Sequence, residues 1–308
     1  MRQLRIASRG SVLARRQAEI VRSRLAQLGW NCELLILKTS GDRMQQAVSE
    51  ASVKGVFVKE LEDALLDGRA DLAVHSMKDV PTTIPADLCF PAINQREDVR
   101  DCLVSGSGKD LDQLPSGARL GTSSVRRRSQ LLHYRPDLEI GDMRGNVDTR
   151  LRKLLSQEYD AIVLAKAGLD RLGWADQITQ ILTTEVCLPA IGQGALGIEA
   201  RRADEEVCDL LSALDHADSR RAIETERALM TALEGGCQVP LGAWARVEGD
   251  TILVDACVCS PDGTEYIREQ NSGSSAEPEK LGRETAQKLL EAGAGRVLRL
   301  VGRNVAGD

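Results

Sequence analysis

The stretch FVKELEDALLDGRADLAVHSMKDVP (57–81) decides how the chain is read. Its first part, FVKELEDALLDG (57–68), reads as a helix closed by Gly68. ADLAVHS (70–76) is a short apolar run of strand length that opens into the loop MKDVP. Upstream the same alternation holds. LRIA (4–7) reads as a strand and SRGS as a turn. A helix then runs from about Val12 to Leu28, with Ala14, Ala18, Val21, Leu25 and Leu28 on one face. CELLILK (32–38) is a further strand. Apolar strands alternating with helices predict a sheet covered on both faces.

The pattern restarts beyond about residue 100. RLGTSS (119–124) ends a strand, VRRRSQLLHY begins a helix, and YDAIVLAKAG (159–168) reads as a strand. ADLAVHS and YDAIVLAK occupy similar places, which predicts two related lobes. From about residue 217 the text changes: RRAIETERALMTALEG is a helix, and TILVDACVCS and EYIREQ form an antiparallel hairpin around PDGT. NSGSSAEPE (271–279) reads as a polar loop, and a last helix spans about 281–292. The expected fold class is α/β, with two lobes and a small α+β C-terminal domain. The domains are 1–94 with 195–213, then 100–190, then 217–308.

At 308 residues the chain is too long for one core. It carries 40 basic and 46 acidic residues, a net charge of −6, which repels polyanions. Aromatic residues are only 3% of the chain, too few to line a base-stacking surface, so no nucleic-acid partner is expected. No apolar run approaches the ~20 residues of a membrane span, and MRQLRIASRGS lacks a secretory apolar segment. The eight cysteines and three histidines show no metal-ligand spacing. These features predict a reduced cytoplasmic protein with no metal and no membrane contact.

Arginine is nevertheless locally dense. In GTSSVRRRSQ, Thr122, Ser123 and Ser124 stand where a helix is capped, with free backbone N–H groups behind them. Arg126 and Arg127 occupy the first turn, where cations oppose the helix dipole unless an anion reverses the field. Arg144 and Arg150 in MRGNVDTRLR add guanidinium forks suited to carboxylate or phosphate. A solvated basic face is the alternative. HSMKDVP places Lys78 and Asp79 at the C-terminal end of a strand, where open α/β sheets bind ligands. Asp79 there either caps the turn or serves as a carboxylate that stabilises cations and moves protons. Arg9 and Ser11 form a smaller anion notch after the first strand. Gly192, Gly194 and Gly197 surround Gln193 in LPAIGQGALGIE without a phosphate-loop lysine, which favours close backbone approach or a hinge. In TALEGGCQVPLG (231–242) a single cysteine, Cys237, sits between Gly-Gly and Gln-Val-Pro. It could be a packed thiol, a metal ligand, a disulfide partner or a nucleophile. For the other seven cysteines ordinary packing is expected.

HSMKDVP, GTSSVRRR, MRGNVDTRLRKL, GQGALGIE and LEGGCQVPLG, in this order, resemble the porphobilinogen deaminase family over nearly the whole chain. The resemblance implies three domains, the first two like the lobes of periplasmic binding proteins, in a monomer. It implies that Cys237 carries a dipyrromethane cofactor by a thioether. It also implies that four porphobilinogen molecules are joined head to tail with loss of ammonia, releasing hydroxymethylbilane for a downstream tetrapyrrole cyclase. Each pyrrole brings an acetate and a propionate, which accounts for concentrated arginine in an acidic protein. By the same resemblance Asp79 is catalytic, and Lys78, Asp79, Thr122, Ser123, Ser124, Arg126, Arg127, Arg144 and Gly145 bind the cofactor. Arg9, Ser11, Arg144, Arg150, Arg171 and Gln193 bind substrate. The chain departs from the family at Val12, where proline is usual. It departs again at Ser52-Val53-Lys54-Gly55, where Gly-Gly-Lys-Gly is common, which bears on a lid loop around residues 42–55. Two rival classes remain, a two-lobed binding protein without catalysis and a nucleic-acid binder.

Overall fold

The structure, a computed structural model, describes residues 2–37, 50–233 and 240–305. Cys237 lies outside these residues, as does the expected lid stretch up to residue 49. The chain forms two compact units, Met1–Glu97 with Gly194–Arg220, and Asp98–Gln193 with Arg221–Asp308.

The first unit is a five-stranded sheet in the order β2-β1-β3-β10-β4. Strand β1 (Leu4–Arg9) lies parallel to both β2 (Cys32–Leu37) and β3 (Leu72–Ser76). Strand β10 (Leu196–Arg201) returns antiparallel between β3 and β4 (Leu88–Ile93). Helix α1 (Val12–Gln27) starts at Ser11, whose hydroxyl accepts from Ala14 N at 3.2 Å. Val12 takes the first helical position, where proline is also tolerated because the N–H there has no helical partner. The helix buries Ala18, Val21 and Leu25 and ends before Gly29, whose φ of +87° suits glycine. Helix α2 (Glu50–Leu66) covers the other face, where Leu61, Ala64 and Leu65 pack on Ala7 and Ala73.

The second unit contains a sheet in the order β7-β6-β8-β5-β9. Here β6 (Arg119–Gly121) lies parallel to β7 (Glu139–Gly141) and β8 (Ala161–Ala165), and β5 (Asp101–Ser105) is antiparallel to β8 and to β9 (Gln180–Ile181). Helices α3 (Val125–Tyr134) and α4 (Val147–Leu155) follow β6 and β7. The two sheets therefore share one plan: three parallel strands joined by helices, then one antiparallel strand, then an edge strand that runs with the first three. ADLAVHS and YDAIVLAK supply the central strand of each, β3 and β8. The alternation alone did not reveal β10 and β5, the antiparallel strands that complete the sheets.

The strand expected over 159–168 is shorter than read, because the β5–β8 ladder ends at Asp101 opposite Ala165. Lys166 then opens helix α5 (Lys166–Leu172). After α6 (Glu205–Ser212) and α7 (Ala217–Ala232), the C-terminal sheet has three strands, not a lone hairpin. Strand β11 (Leu241–Glu248) precedes β12 (Thr251–Cys259) and β13 (Tyr266–Ser274). Residues 271–274, read as loop, continue β13 up to the pair Thr251–Ser274. An edge strand with one face in water carries polar residues at every second position, which hides it among turn residues. Helices α8 (Pro278–Glu291) and α9 (Ala294–Val305) close this part, packing Leu281, Leu289 and Val297 against β12.

Candidate functional site

In the first unit the candidate residues gather where parallel strands end, the edge at which α/β sheets present ligand-binding groups. Arg9 ends β1, and the Ser11 hydroxyl oxygen caps α1. On the neighbouring strand, β3 runs into a single 3₁₀ turn, Met77–Asp79. Three contacts hold that turn. Met77 N donates to Ala195 O at 3.0 Å, Val80 N donates to Met77 O at 3.3 Å, and Gln17 Nε2 donates to Ser76 Oγ at 2.9 Å. Asp79 caps nothing in the turn, and its half-buried carboxylate has no hydrogen-bond or ion-pair partner among the described residues. A carboxylate kept out of bulk water without a partner is disfavoured for stability alone and available for a cation or a proton. Lys78 beside it is half-buried.

Behind the turn lies a cluster the sequence did not announce. His75 Nε2 is 2.9 Å from Glu199 Oε2, with both side chains buried. The two sit diagonally on one face of the β3–β10 ladder, where His75 faces Gly197 and Ala73 faces Glu199. Glu62 of α2 approaches the same face. Burial, then the charge of Glu199, push its carboxyl up to about 7. Gly197 is required here, because a Cβ would lie 2.8 Å from Phe90 Cδ1 and closer still to Met77.

The second unit gathers its candidates at the matching edge of its own sheet. Ser124 caps α3 by accepting from Arg127 N at 3.5 Å, and Thr122 Oγ1 accepts from Ser124 N at 3.2 Å. Ser123 Oγ donates to Met143 O at 2.5 Å, which ties this turn to the next loop. In that loop Gly145 has φ +117°, and a Cβ there would lie 2.7 Å from Thr149 Cγ2. Arg150 Nε donates to Gly145 O at 2.8 Å, while Arg144 is exposed and its Nε donates to Asp142 Oδ2 at 3.1 Å. Arg171 is buried on α5.

Arg126 and Arg127 are not a solvated face. Both turn inward onto Asp101, the fully buried first residue of β5. Arg126 Nη1 is 2.8 Å from Asp101 Oδ2, and Arg127 Nη2 is 2.8 Å from Asp101 Oδ1. Gln193 Nε2 donates to the same Oδ1 at 2.8 Å, and Cys187 Sγ donates to Oδ2 at 3.5 Å. Arg126 also donates to Leu188 O at 2.6 Å, and Arg127 Nη1 donates to Val163 O at 2.9 Å. Burial opposes ionisation of Asp101, but the charges of Arg126 and then Arg127 hold its carboxyl far below the usual range. Burial pushes the Cys187 thiol up to about 12, so it stays a neutral donor. One carboxylate thus faces two guanidiniums, and these groups carry one positive charge in excess. The Nε–H of each arginine is buried without an acceptor among the described residues.

The anion inferred from the first-turn arginines is thus in part internal, supplied by Asp101. The signal in the sequence was an aspartate heading the apolar run DCLVS, a position tolerable only with charged partners. Glu199, inside the apolar run LGIEA, carried the same signal. The structure brings Arg126, Arg127 and Gln193 to one carboxylate, and Ser123 to the loop of Arg144, Gly145 and Arg150. Among the described residues no group of three or more His, Cys, Asp and Glu is placed to hold a metal ion, and no helix is long and apolar enough to cross a membrane.

Residues 4–209 match the family model described as the porphobilinogen deaminase dipyromethane cofactor binding domain, and residues 221–291 match the model of its C-terminal domain. The chain belongs to the porphobilinogen deaminase family. A porphobilinogen deaminase of Syntrophobacter fumaroxidans is 48% identical over 300 residues, covering 96% of this chain and 97% of its own. That of Moorella thermoacetica is 49% identical over 304 residues, covering 98% and 97%. Membership places the chain among the transferases of tetrapyrrole biosynthesis that use a dipyrromethane cofactor. A likeness to the methionine binding protein MetQ is shallow, with 12% identity and a TM-score of 0.43 over 69% of this chain and 89% of that one, and nothing about the chemistry follows from it. Family membership leaves the nucleic-acid reading without support, and it sets a transferase in place of a passive binding protein.

The residues fit a polycarboxylate cofactor. An excess buried guanidinium charge with unsatisfied Nε–H donors suits carboxylates. A carboxylate without a partner suits the ring nitrogens and the cationic stages of pyrrole chemistry.

Proposed function

We propose that this chain polymerises four porphobilinogen molecules head to tail into hydroxymethylbilane, and that the residues gathered at the two strand edges carry the reaction. Cys237 would hold the dipyrromethane by a thioether, and that group would supply the primer pyrrole for the first unit. Arg126, Arg127, Arg144 and Lys78 hold its carboxylates, with Thr122, Ser123, Ser124 and Gly145 giving hydroxyl and backbone support. Arg9, Ser11, Arg144, Arg150, Arg171 and Gln193 bind the incoming substrate, the arginines at its carboxylates. Asp79 stabilises positive charge at the reacting ring and moves its proton, which general acid–base groups do for about 10²–10⁴ in rate.

The observation that supports this reading most is the imbalance at Asp101, where two buried guanidiniums share one carboxylate. At Asp71 the two arginines reach water, whereas at Asp101 both are buried and the Nε–H of each lacks an acceptor among the described residues, a deficit that a ligand anion would supply. The three domains are 1–94 with 195–213, 100–190 and 217–308, a division supported by the three separate sheets. The protein works as a monomer in the cytoplasm and hands its product to a tetrapyrrole cyclase.

The experiment is the intact mass of the denatured protein. An excess equal to two linked porphobilinogen-derived units, mapped to the Cys237 peptide and missing from Cys237→Ser, is expected. An adduct that persists in Cys237→Ser overturns the assignment of that cysteine.

A further inference from the structure

Two thiols that the reaction does not use meet in the first unit. Cys89 lies on β4, the edge strand of the sheet, and Cys208 lies on α6. They are 119 positions apart in sequence, yet their sulfurs are 3.8 Å apart and both side chains are half-buried. Cys208 Sγ also donates to Arg201 O at 3.4 Å, and Cys89 Sγ lies 3.8 Å from Ala200 O. The other described cysteines, Cys32, Cys102, Cys187, Cys257 and Cys259, are all buried. Cys89 and Cys208 thus combine contact with each other and access from water.

We propose that Cys89 and Cys208 form a modification site that reacts with low-molecular-weight disulfides and closes into an intramolecular bridge. Sulfurs at 3.8 Å must approach to the ~2.0 Å of a bond, a shift of about 1.8 Å between two partly exposed side chains. Burial, then the neighbouring Cys89, push the Cys208 thiol up to about 11. Cys208 therefore keeps its proton, which Arg201 O accepts, and the exchange opens at Cys89. Cys89 loses its proton to solvent and attacks one sulfur of the reagent, forming a mixed disulfide and expelling one thiolate, which takes up a proton. Cys208 then loses its proton to solvent and attacks the Cys89 sulfur, forming the bridge and expelling the second thiolate. Two protein thiols are oxidised by two electrons in all, and the reagent's disulfide is reduced to two thiols.

The bridge has a defined consequence. The first unit is built from two separate runs of chain, Met1–Glu97 and Gly194–Arg220, and Cys89 and Cys208 belong to different runs. Oxidation would join them covalently across a loop of more than a hundred residues, restricting the unfolded chain far more than the folded one.

The test treats the full-length protein with excess glutathione disulfide, then alkylates it in denaturant and maps the peptides. Two fewer alkylated thiols, a mass lower by two hydrogens before alkylation, and a Cys89–Cys208 cross-linked peptide are expected. Cys208→Ser should stop at a glutathione adduct on Cys89, and Cys89→Ser should react at least ~10-fold more slowly, since it retains the thiol that holds its proton. The bridged protein should unfold at a higher temperature than the reduced one. A wild type that keeps both thiols alkylable, that stops at the mixed disulfide, or that bridges another pair overturns the proposal. The readout is independent of turnover and of cofactor loading.

Discussion

Replacing Asp101 by asparagine removes the carboxylate that Arg126 and Arg127 share while keeping the side chain's size. In the parent it accepts from both guanidiniums at 2.8 Å, from Gln193 at 2.8 Å and from the Cys187 thiol at 3.5 Å. An amide has one oxygen to offer and turns its NH₂ toward a guanidinium, so at least one arginine is left buried and unpaired. Removing one partner of a buried pair costs about 3–5 kcal/mol, because the remaining charge stays out of water. At about 2–4 °C per kcal/mol for chains of this class, the midpoint should fall by roughly 10 °C. Removing one arginine should cost less: in Arg127→Gln, Asp101 still has Arg126, and the excess charge disappears. The two variants and their double mutant, unfolded in urea and followed by tryptophan fluorescence and circular dichroism, form a cycle that isolates the coupling. The double variant should be more stable than the sum of the single losses indicates. A cost for Asp101→Asn below about 1 kcal/mol, or additivity in the cycle, would refute the charge accounting at this carboxylate.

Three further outcomes follow from the same geometry. Asp79→Asn should retain the covalent pyrrole by intact mass but lose about 10²-fold or more in turnover, since its carboxylate has no structural partner to lose; a stopped assay at saturating porphobilinogen decides. Glu62 binds its proton more tightly folded than unfolded, its carboxyl standing at about 7 against an ordinary ~4.3. Between those values the folded state holds more protons, so stability falls as pH rises. After allowance for solvent screening the loss is about 1 kcal/mol, and Glu62→Gln should flatten it in urea midpoints taken at pH 5 and 8. Gly197→Ala forces a methyl against Phe90 and Met77 and should cost about 1–3 kcal/mol in the same unfolding measurement; a neutral effect would mean that the Met77 turn relaxes freely.

Much of the fold was legible because its strands are short, apolar and separated by amphipathic helices. Ala18, Val21 and Leu25 recur at helical spacing in the sequence and are the residues α1 buries. What stayed hidden was pairing across long sequence distance. Strand β10 reaches its neighbours from more than a hundred residues away, and LGIEA gives no local sign of which sheet it joins. The polar β13 was misread because an edge strand needs only one apolar face. At the candidate site the caps and arginine positions were readable from local chemistry. Asp101 was not, since its meaning depends on Arg126 and Arg127, some 25 residues later, folding back onto it. The contact between Cys89 and Cys208 was beyond reading for the same reason.

The two units have in common that each leaves a charge unbalanced at the C-terminal edge of its parallel strands. In the first, Asp79 stands half-buried with no cation assigned to it among the described residues. In the second, two guanidiniums divide one carboxylate. Either arrangement alone is a stability cost that a packed apolar pair would avoid. Two other aspartates meet their arginines closer to water. Asp71 at the start of β3 takes Arg2 at 2.6 Å and Arg5 at 3.1 Å, with water available to both arginines. Asp255 takes Arg268 at 2.5 Å along a β-ladder. Asp101 differs from Asp71 in that its two guanidiniums are themselves buried, so water does not share the excess charge. Carboxylates of a ligand would offset the excess at Asp101 in the second unit, and a centre that turns cationic would suit Asp79 in the first.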